Sequence, residues 1–156
     1  MNYIVLLALT ALMAASPLFG RLAAVFTIFL FRKQVTWVRL DPKFLLAAFL
    51  TYAATFAIDY LTVGPPTHVP TWWDAVILTP LAEEFVFRAL AFSLLPPPLS
   101  WLFAVVVFGA LHNLPHLATL YGLALSLAYR GGGLVASVAL HSINNALWLA
   151  LATGRL

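Results

Sequence analysis

The chain has 156 residues, of which 63% are hydrophobic and only 8% are charged. Soluble domains contain roughly a quarter charged residues, so the composition excludes an ordinary soluble domain and indicates a membrane protein. The chain contains no cysteine, which excludes a disulfide framework, a thiolate nucleophile and a cysteine-based metal centre. The formal net charge of +3 comes from cations beside the ends of apolar segments, so we expect no nucleic-acid partner.

The apolar segments predict five or six helices and no strands. A helix needs about 20 mostly apolar residues to span a bilayer. The predicted segments are, in chain order, 3–31, 44–61, 72–95, 101–111, 117–129 and 134–152. The first is apolar apart from Arg21, is expected to kink at 17–20, and lacks the basic start of a signal peptide, so we expect mature structure there. The prediction is an all-α, polytopic transmembrane helix bundle, with one integral-membrane domain over 1–156.

The charges of the loops predict how the bundle is oriented. The loop at 62–73 carries no Lys or Arg, whereas the loop at 32–43 carries four cations, which are Arg32, Lys33, Arg39 and Lys43. Cytoplasmic loops are enriched in Lys and Arg, so the 32–43 loop is expected in the cytoplasm and the 62–73 loop on the other side. We expect a multi-pass protein of the cell membrane whose active site is reached from the cytoplasmic side.

Two adjacent carboxylates and an arginine interrupt the segment 72–95, in the sequence LAEEFVFRAL. Ionisable groups inside an apolar helix are costly unless they are paired. Glu84 and Arg88 are four residues apart, so they share a helix face and can neutralise each other. Glu83 lies about 100° away around the helix and has no such partner. Desolvation makes an unpaired carboxylate bind a proton more readily, and this property suits a general base.

Glu83 shares its predicted depth with two histidines from later segments. Counted from the predicted cytoplasmic ends of their segments, Glu83, His112 and His141 lie 12, 11 and 8 residues deep. At 1.5 Å per residue, these positions are roughly 12–18 Å from the cytoplasmic ends. Three helices are therefore expected to bring these groups to one pocket inside the bilayer, where Glu83 and His112 act as a base or hold a water molecule.

A second pair of polar residues completes the predicted site. His141 and Asn145 are four residues apart, so an imidazole and a carboxamide point the same way. Two convergent donors are what an oxyanion hole requires. With no side-chain nucleophile in the set, water must attack the substrate. These residues define a motif-bearing catalytic core, expected over 74–152.

Three motifs in this core resemble those of a known family. In chain order they are Glu83-Glu84-x-x-x-Arg88, Phe108-x-x-x-His112 and His141-x-x-x-Asn145. They resemble the motifs of the type II CAAX prenyl endopeptidases, which belong to the broader CPBP (CAAX protease and bacteriocin-processing, or abortive-infection) family. The resemblance covers about 80–150, and all three motifs occur in order within apolar segments.

The resemblance implies an intramembrane glutamate protease. Glu83 and His112 would activate water, Glu84 would assist beside Arg88, and the oxyanion would be held by the remaining pair, His141 and Asn145. The implied partners are membrane lipid and a peptide or protein substrate that is CAAX-type prenylated or otherwise membrane-associated. No cofactor is implied.

Two other functions are compatible with the same residues. Glu83, His112 and His141 could together form the ligand set of a zinc-dependent membrane protease, since two histidines and a carboxylate commonly hold catalytic zinc. Buried Glu, His and Arg also occur in proton-coupled transporters, and a non-catalytic membrane scaffold is a further alternative. We favour the metal-free protease because Asn145 beside His141 is typical of an oxyanion donor.

Overall fold

A computed structural model describes residues 2–67 and 69–155, and it confirms the predicted all-α class. Over these residues the chain forms six helices and no strand. The helices are α1 (Asn2–Ala15), α2 (Pro17–Phe31), α3 (Pro42–Thr62), α4 (74–94), α5 (Pro97–Ala110) and α6 (Pro115–Ala152). Helices α3 and α6 are long and apolar enough to cross a membrane.

The outside of the bundle is apolar, as expected of a surface that faces lipid. Large hydrophobic side chains are exposed along α2 and α3, among them Phe26, Phe29, Leu30, Phe49 and Leu61. Soluble proteins rarely expose apolar surface on this scale. The charged pair of α4 has the opposite exposure, since Glu84 and Arg88 are fully buried. The chain therefore has the inside-out polarity of a membrane protein.

The N-terminal segment differs from the prediction of one kinked spanning helix over 3–31. The chain leaves helical geometry at Ser16, and α1 and α2 pack against each other. At Gly20 this packing is so close that a Cβ atom would lie 2.4 Å from the Cα atom of Met13. The two helices have 14 and 15 residues, so each is about 22 Å long and shorter than the hydrocarbon core of a bilayer. They form a helical hairpin, and hydropathy alone does not distinguish a hairpin from a kinked span.

Helix α4 contains two wide, π-helical turns, at Asp74–Leu78 and Phe85–Leu90. In the first, the amide of Thr79 donates to the carbonyl of Asp74, five residues earlier. A proline inside a regular α-helix would clash with the carbonyl four residues before it, and the wide turn relieves that clash just before Pro80. The helix therefore continues through Pro80 and carries Glu83 and Glu84 into the bundle.

The sequence HNLPH at 112–116 separates two helices, as the gap between the predicted segments 101–111 and 117–129 implies. Helix α5 ends at Ala110, residues 111–114 form a turn, and α6 begins at Pro115. His112 therefore lies in the turn and not inside a helix, which corrects the expectation for the second motif. Proline at the first position of a helix has no amide to leave unpaired, so Pro115 suits the start of α6.

A glycine break divides α6, and an extended segment at 36–41 fills it. Gly133 has φ 74° and ψ −167°, a conformation available to glycine almost alone. The amides of Leu134 and Val135 donate to the carbonyls of Thr36 and Trp37, at 2.9 and 3.1 Å. The loop thus satisfies the backbone groups that the break exposes. It also fixes the angle between the two halves of α6, the second of which carries His141 and Asn145.

We predict that Gly133→Ala destabilises the protein much more than Gly64→Ala. Both glycines have positive φ, 74° and 77°, so both substitutions strain the backbone, and the extended ψ of Gly133 adds to the strain there. A Cβ at Gly133 would also lie 2.6 Å from the carbonyl oxygen of Trp37, whereas Gly64 has open space around it. Thermal melting in detergent measures the difference. Equal melting temperatures for the two variants would show that the contact between the segment at 36–41 and Gly133 does not stabilise the protein.

Candidate active site

Two adjoining cavities bring the predicted residues together. The larger has a volume of about 560 Å³, and the smaller, of about 290 Å³, lies toward the α1–α2 hairpin. Both are lined by Arg21, Glu83, His112 and Asn113. The larger one is also lined by three polar residues of α6, which are His141, Asn144 and Asn145. Helix α4, the turn at 111–114 and the second half of α6 therefore meet at one polar pocket.

The carboxylate of Glu84 joins two helices in the buried wall of this pocket. Its Oε1 atom accepts hydrogen bonds from the guanidinium of Arg88, at 2.9 Å, and from Nδ1 of His141, at 2.8 Å. The pair with Arg88 is the one that the four-residue spacing predicts. The contact with His141 was not predicted. It ties α4 to α6 through three fully or almost fully buried side chains.

This contact decides which ring nitrogen His141 offers to the pocket. A carboxylate beside Arg88 can only accept hydrogen bonds, so Nδ1 of His141 must carry a proton. Nε2 is then the remaining atom for a substrate. Nε2 accepts a hydrogen bond in the neutral ring and donates one when the ring is protonated. His141 therefore presents Nε2 to the cavity in a fixed orientation.

The second motif supports His112 and Arg88 through one residue, Phe108. Its ring lies under the guanidinium of Arg88, at 4.1 Å, and next to the ring of His112, at 4.4 Å. A cation above an aromatic face is stabilised by the ring, which offsets part of the cost of burying Arg88. The carbonyl oxygen of Phe108 is 2.7 Å from Nδ1 of His112. Since a carbonyl only accepts, Nδ1 of His112 is protonated and neutral His112 presents a lone pair at Nε2.

Glu83 and His112 face each other across the pocket. Nε2 of His112 lies 3.9 Å from Oε2 of Glu83, too far for a direct hydrogen bond. In their basic forms both atoms are acceptors. Among the described residues Oε2 of Glu83 is buried and has no hydrogen-bond partner, so a water that bridges the two groups would have to reach Oε1 or follow a small rotation of the carboxylate. The side chain of Glu83 is 16% exposed and that of Glu84 is 0% exposed, so the first carboxylate is the one that a substrate can reach.

Asn145 is less available than the predicted donor pair requires. Its Nδ2 atom donates to the carbonyl of Ala75, at 2.8 Å, in the first wide turn of α4. Its Oδ1 atom accepts from Asn144, at 3.2 Å. The carboxamide has a second N–H, so Asn145 can still donate once into the cavity that it lines with His141. The spacing placed both residues on one face correctly but could not show this bond to Ala75.

Among the polar residues of the pocket, the sequence reasoning missed Asn144 and Arg21 as well as Asn113. Asn144 lies beside Asn145, and nothing in its spacing sets it apart. Arg21, from α2, donates hydrogen bonds to Asp74 and Thr79 of α4. A lone arginine in an otherwise apolar segment was the signal that could have identified it, because an ionisable residue inside a membrane segment generally has a specific partner.

The structure is that of a helical membrane protein, and a family model gives the assignment. The chain belongs to the family described as Type II CAAX prenyl endopeptidase Rce1-like, whose model matches residues 65–147, more than half of the chain. Neither the curated proteins nor the solved structures gave a match. The family is a protease family with a helical membrane fold. The matched region contains the seven motif residues, which are Glu83, Glu84, Arg88, Phe108, His112, His141 and Asn145.

We predict that Glu84→Gln destabilises the protein whereas Glu83→Gln does not. Removing the charge of Glu84 leaves Arg88 buried and unpaired and weakens the contact with His141, at a cost of roughly 3–5 kcal/mol. Such a loss lowers the melting temperature in detergent by roughly 6–20 °C. Glu83 lies next in sequence and faces the cavity, so Glu83→Gln is the matched control. If the two variants have the same melting temperature, the contacts of Glu84 with Arg88 and His141 do not stabilise the packing of α4 on α6.

Proposed function

We propose that this protein is an intramembrane endopeptidase in which Glu83 and His112 activate a water molecule. The observation that carries the proposal is the 3.9 Å separation of Oε2 of Glu83 and Nε2 of His112 in a shared cavity. The backbone contact of His112 leaves Nε2 as the basic atom, so two bases face one position. A water there loses a proton to one of them as its oxygen attacks the peptide carbonyl.

The remaining polar groups fit the later steps of hydrolysis. The attack places negative charge on the former carbonyl oxygen, and His141, protonated beside Glu84, can donate to it through Nε2. Asn145 can supply a second donor from its free N–H. The proton taken up by Glu83 or His112 then passes to the leaving amine as the carbon–nitrogen bond breaks. The products are a new carboxylate and a new amine, with no covalent intermediate.

A zinc site built from Glu83, His112 and His141 is less consistent with the geometry. Within residues 2–67 and 69–155, no three His, Cys, Asp or Glu side chains converge closely enough to form a metal-binding group. A proton-coupled transporter or a scaffold would not need a base pair and an anion-binding donor around one cavity.

The substrate that we propose is a peptide that reaches the site from the membrane. The family description names a CAAX prenyl endopeptidase, and the motif in question is a C-terminal sequence whose cysteine carries the lipid. We propose such prenylated or otherwise membrane-associated peptides as substrates, cleaved within a multi-pass bundle whose catalytic core is 74–152. The α1–α2 hairpin completes the wall of the smaller cavity and belongs to the same single domain.

The lining of the cavities bears on the side from which a substrate enters. Pro70 borders the larger cavity, and an adjoining cavity of about 600 Å³ is bordered by 63–67 as well as by Asn145. Neither cavity at the site is lined by a described residue of the cation-rich loop at 32–41. We therefore propose entry from the end of the bundle that carries 62–71. A substrate in the cytoplasm could then reach the site only if the 62–71 end faced the cytoplasm. The distribution of Lys and Arg between the loops predicts the opposite orientation.

We predict that Glu83→Gln abolishes cleavage without unfolding the protein. The substitution keeps the volume and removes the base, and loss of a general base typically costs 10²–10⁴-fold in rate. Turnover of a fluorogenic farnesylated peptide by detergent-purified protein is the measurement, with His116→Gln as a control on an exposed histidine outside the site. A rate within a few-fold of wild type would contradict the proposal. So would loss of wild-type activity with a chelator and its return with zinc.

We predict from the loop charges that the 62–71 end is non-cytoplasmic. The chain has no cysteine, so single substitutions at exposed positions report accessibility without background. An impermeant thiol reagent should label Thr67→Cys in intact cells and Gln34→Cys only after permeabilisation. The reverse pattern would show that the cavity is entered from the cytoplasm.

A further inference from the structure

Arg21 is a cation that the proposed hydrolysis does not use, although it lines both cavities of the site. It comes from α2, outside the residues that the family model matches. Its Nε atom donates to the carbonyl of Pro17, at 3.1 Å, and its NH1 atom donates to Asp74, at 3.1 Å, and to Thr79. These bonds hold the guanidinium in one place at the boundary between the hairpin and α4.

The guanidinium lies close to the proposed site of hydrolysis. Its partner Thr79 is four residues before Glu83 in α4, so the two side chains share a helix face about one turn, or 6 Å, apart. Arg21 therefore sits one helical turn from the carboxylate that faces His112. The side chain is only 17% exposed, so solvent screens its charge weakly.

Arg21 has donors left for a ligand. Pro17, Asp74 and Thr79 accept from Nε and NH1 only. Within the described residues the NH2 atom makes no hydrogen bond. A guanidinium is suited to carboxylates, which it binds through charge-assisted and often paired hydrogen bonds. Asp74 pairs with NH1 and leaves the NH2 edge of the guanidinium without a partner among the described residues. A substrate carboxylate would bind at the unused edge.

A substrate of the proposed kind brings a carboxylate to this position. The CAAX motif ends the chain, so a bond cleaved within it is at most three residues from a free α-carboxylate. Three extended residues span at most about 10 Å, which is comparable with the separation of Arg21 from the Glu83 site. We propose that Arg21 binds the C-terminal carboxylate of the substrate and so restricts cleavage to bonds near a free C-terminus. This inference rests on the proposed function.

The competing explanation is that Arg21 only ties α2 to α4 through Asp74. Two variants separate the explanations. Arg21→Gln removes the guanidinium, whereas Asp74→Asn breaks the ion pair and leaves the guanidinium in the cavity. If the ion pair is all that matters, both variants should behave alike. If Arg21 binds substrate, only Arg21→Gln should lose recognition of a carboxylate.

The test compares two probes that differ only at the C-terminus. They are a fluorogenic farnesylated peptide ending in Cys-Val-Ile-Ser as the free acid, and the same peptide as the C-terminal amide. Wild type should cleave the acid with a kcat/KM about 10–100-fold above that for the amide, the range expected for a charge-assisted hydrogen bond. Arg21→Gln should cleave the two alike. Asp74→Asn should keep the preference, and so should the exposed-cation control Arg155→Gln.

Three results would overturn the inference without contradicting the proposed protease activity. Wild type could cleave the acid and the amide equally well, or Arg21→Gln could keep the preference for the acid. The third result is that Asp74→Asn loses the preference to the same extent as Arg21→Gln. Binding of both probes to Glu83→Gln, followed by fluorescence anisotropy, separates the two proposals. If wild type cleaves neither peptide but Arg21-dependent binding of the acid persists, hydrolysis is wrong and the carboxylate site stands. If no preference is found in binding or cleavage, the carboxylate site is wrong.

Discussion

A single buried carboxylate organises this site. Glu84 is completely inaccessible to solvent, and one of its oxygens accepts from both Arg88 and His141. A buried carboxylate is tolerated only if it is paired, so the two donors must stay in place whenever the protein is folded. The same bond that offsets the burial of Glu84 also joins α4 to the second half of α6. It fixes His141 with its Nε2 atom toward the cavity, and stability and chemistry therefore depend on one contact.

The adjacent glutamate has the opposite environment, and this difference separates structure from catalysis. Glu83 is rotated away from the Glu84 bridge, is partly exposed and faces Nε2 of His112 at 3.9 Å. Phe108 holds the arrangement from the other side, since its ring supports Arg88 and its carbonyl fixes the tautomer of His112. Two neighbouring carboxylates thereby take two roles, one holding helices together and one proposed to activate water.

The sequence predicted the class, the family and most of the pocket, for identifiable reasons. Four-residue spacing within one helix is a local constraint, so the pairing of Glu84 with Arg88 could be foreseen. Counting residues gave a common depth for Glu83, His112 and His141, but depth does not give rotation about a helix axis. The wide turns of α4 change that rotation, which is why the contact of His141 with Glu84 was missed. Arg21 was missed because its partners Asp74 and Thr79 lie 53 and 58 residues away, and the hairpin was missed because hydropathy does not distinguish it from a kinked span.

The central claim is that Glu83 and His112 hold the attacking water, with His141 facing the oxyanion. It is tested most directly by a high-resolution structure of the wild-type protein with a farnesylated peptide whose scissile amide is replaced by a non-cleavable reduced amide. The account predicts an ordered water within about 3 Å of both a carboxylate oxygen of Glu83 and Nε2 of His112, on the side of the scissile position. It also predicts His141 bonded to Glu84 through Nδ1. A metal ion bound by Glu83, His112 and His141, or a peptide seated away from Glu83, would contradict it.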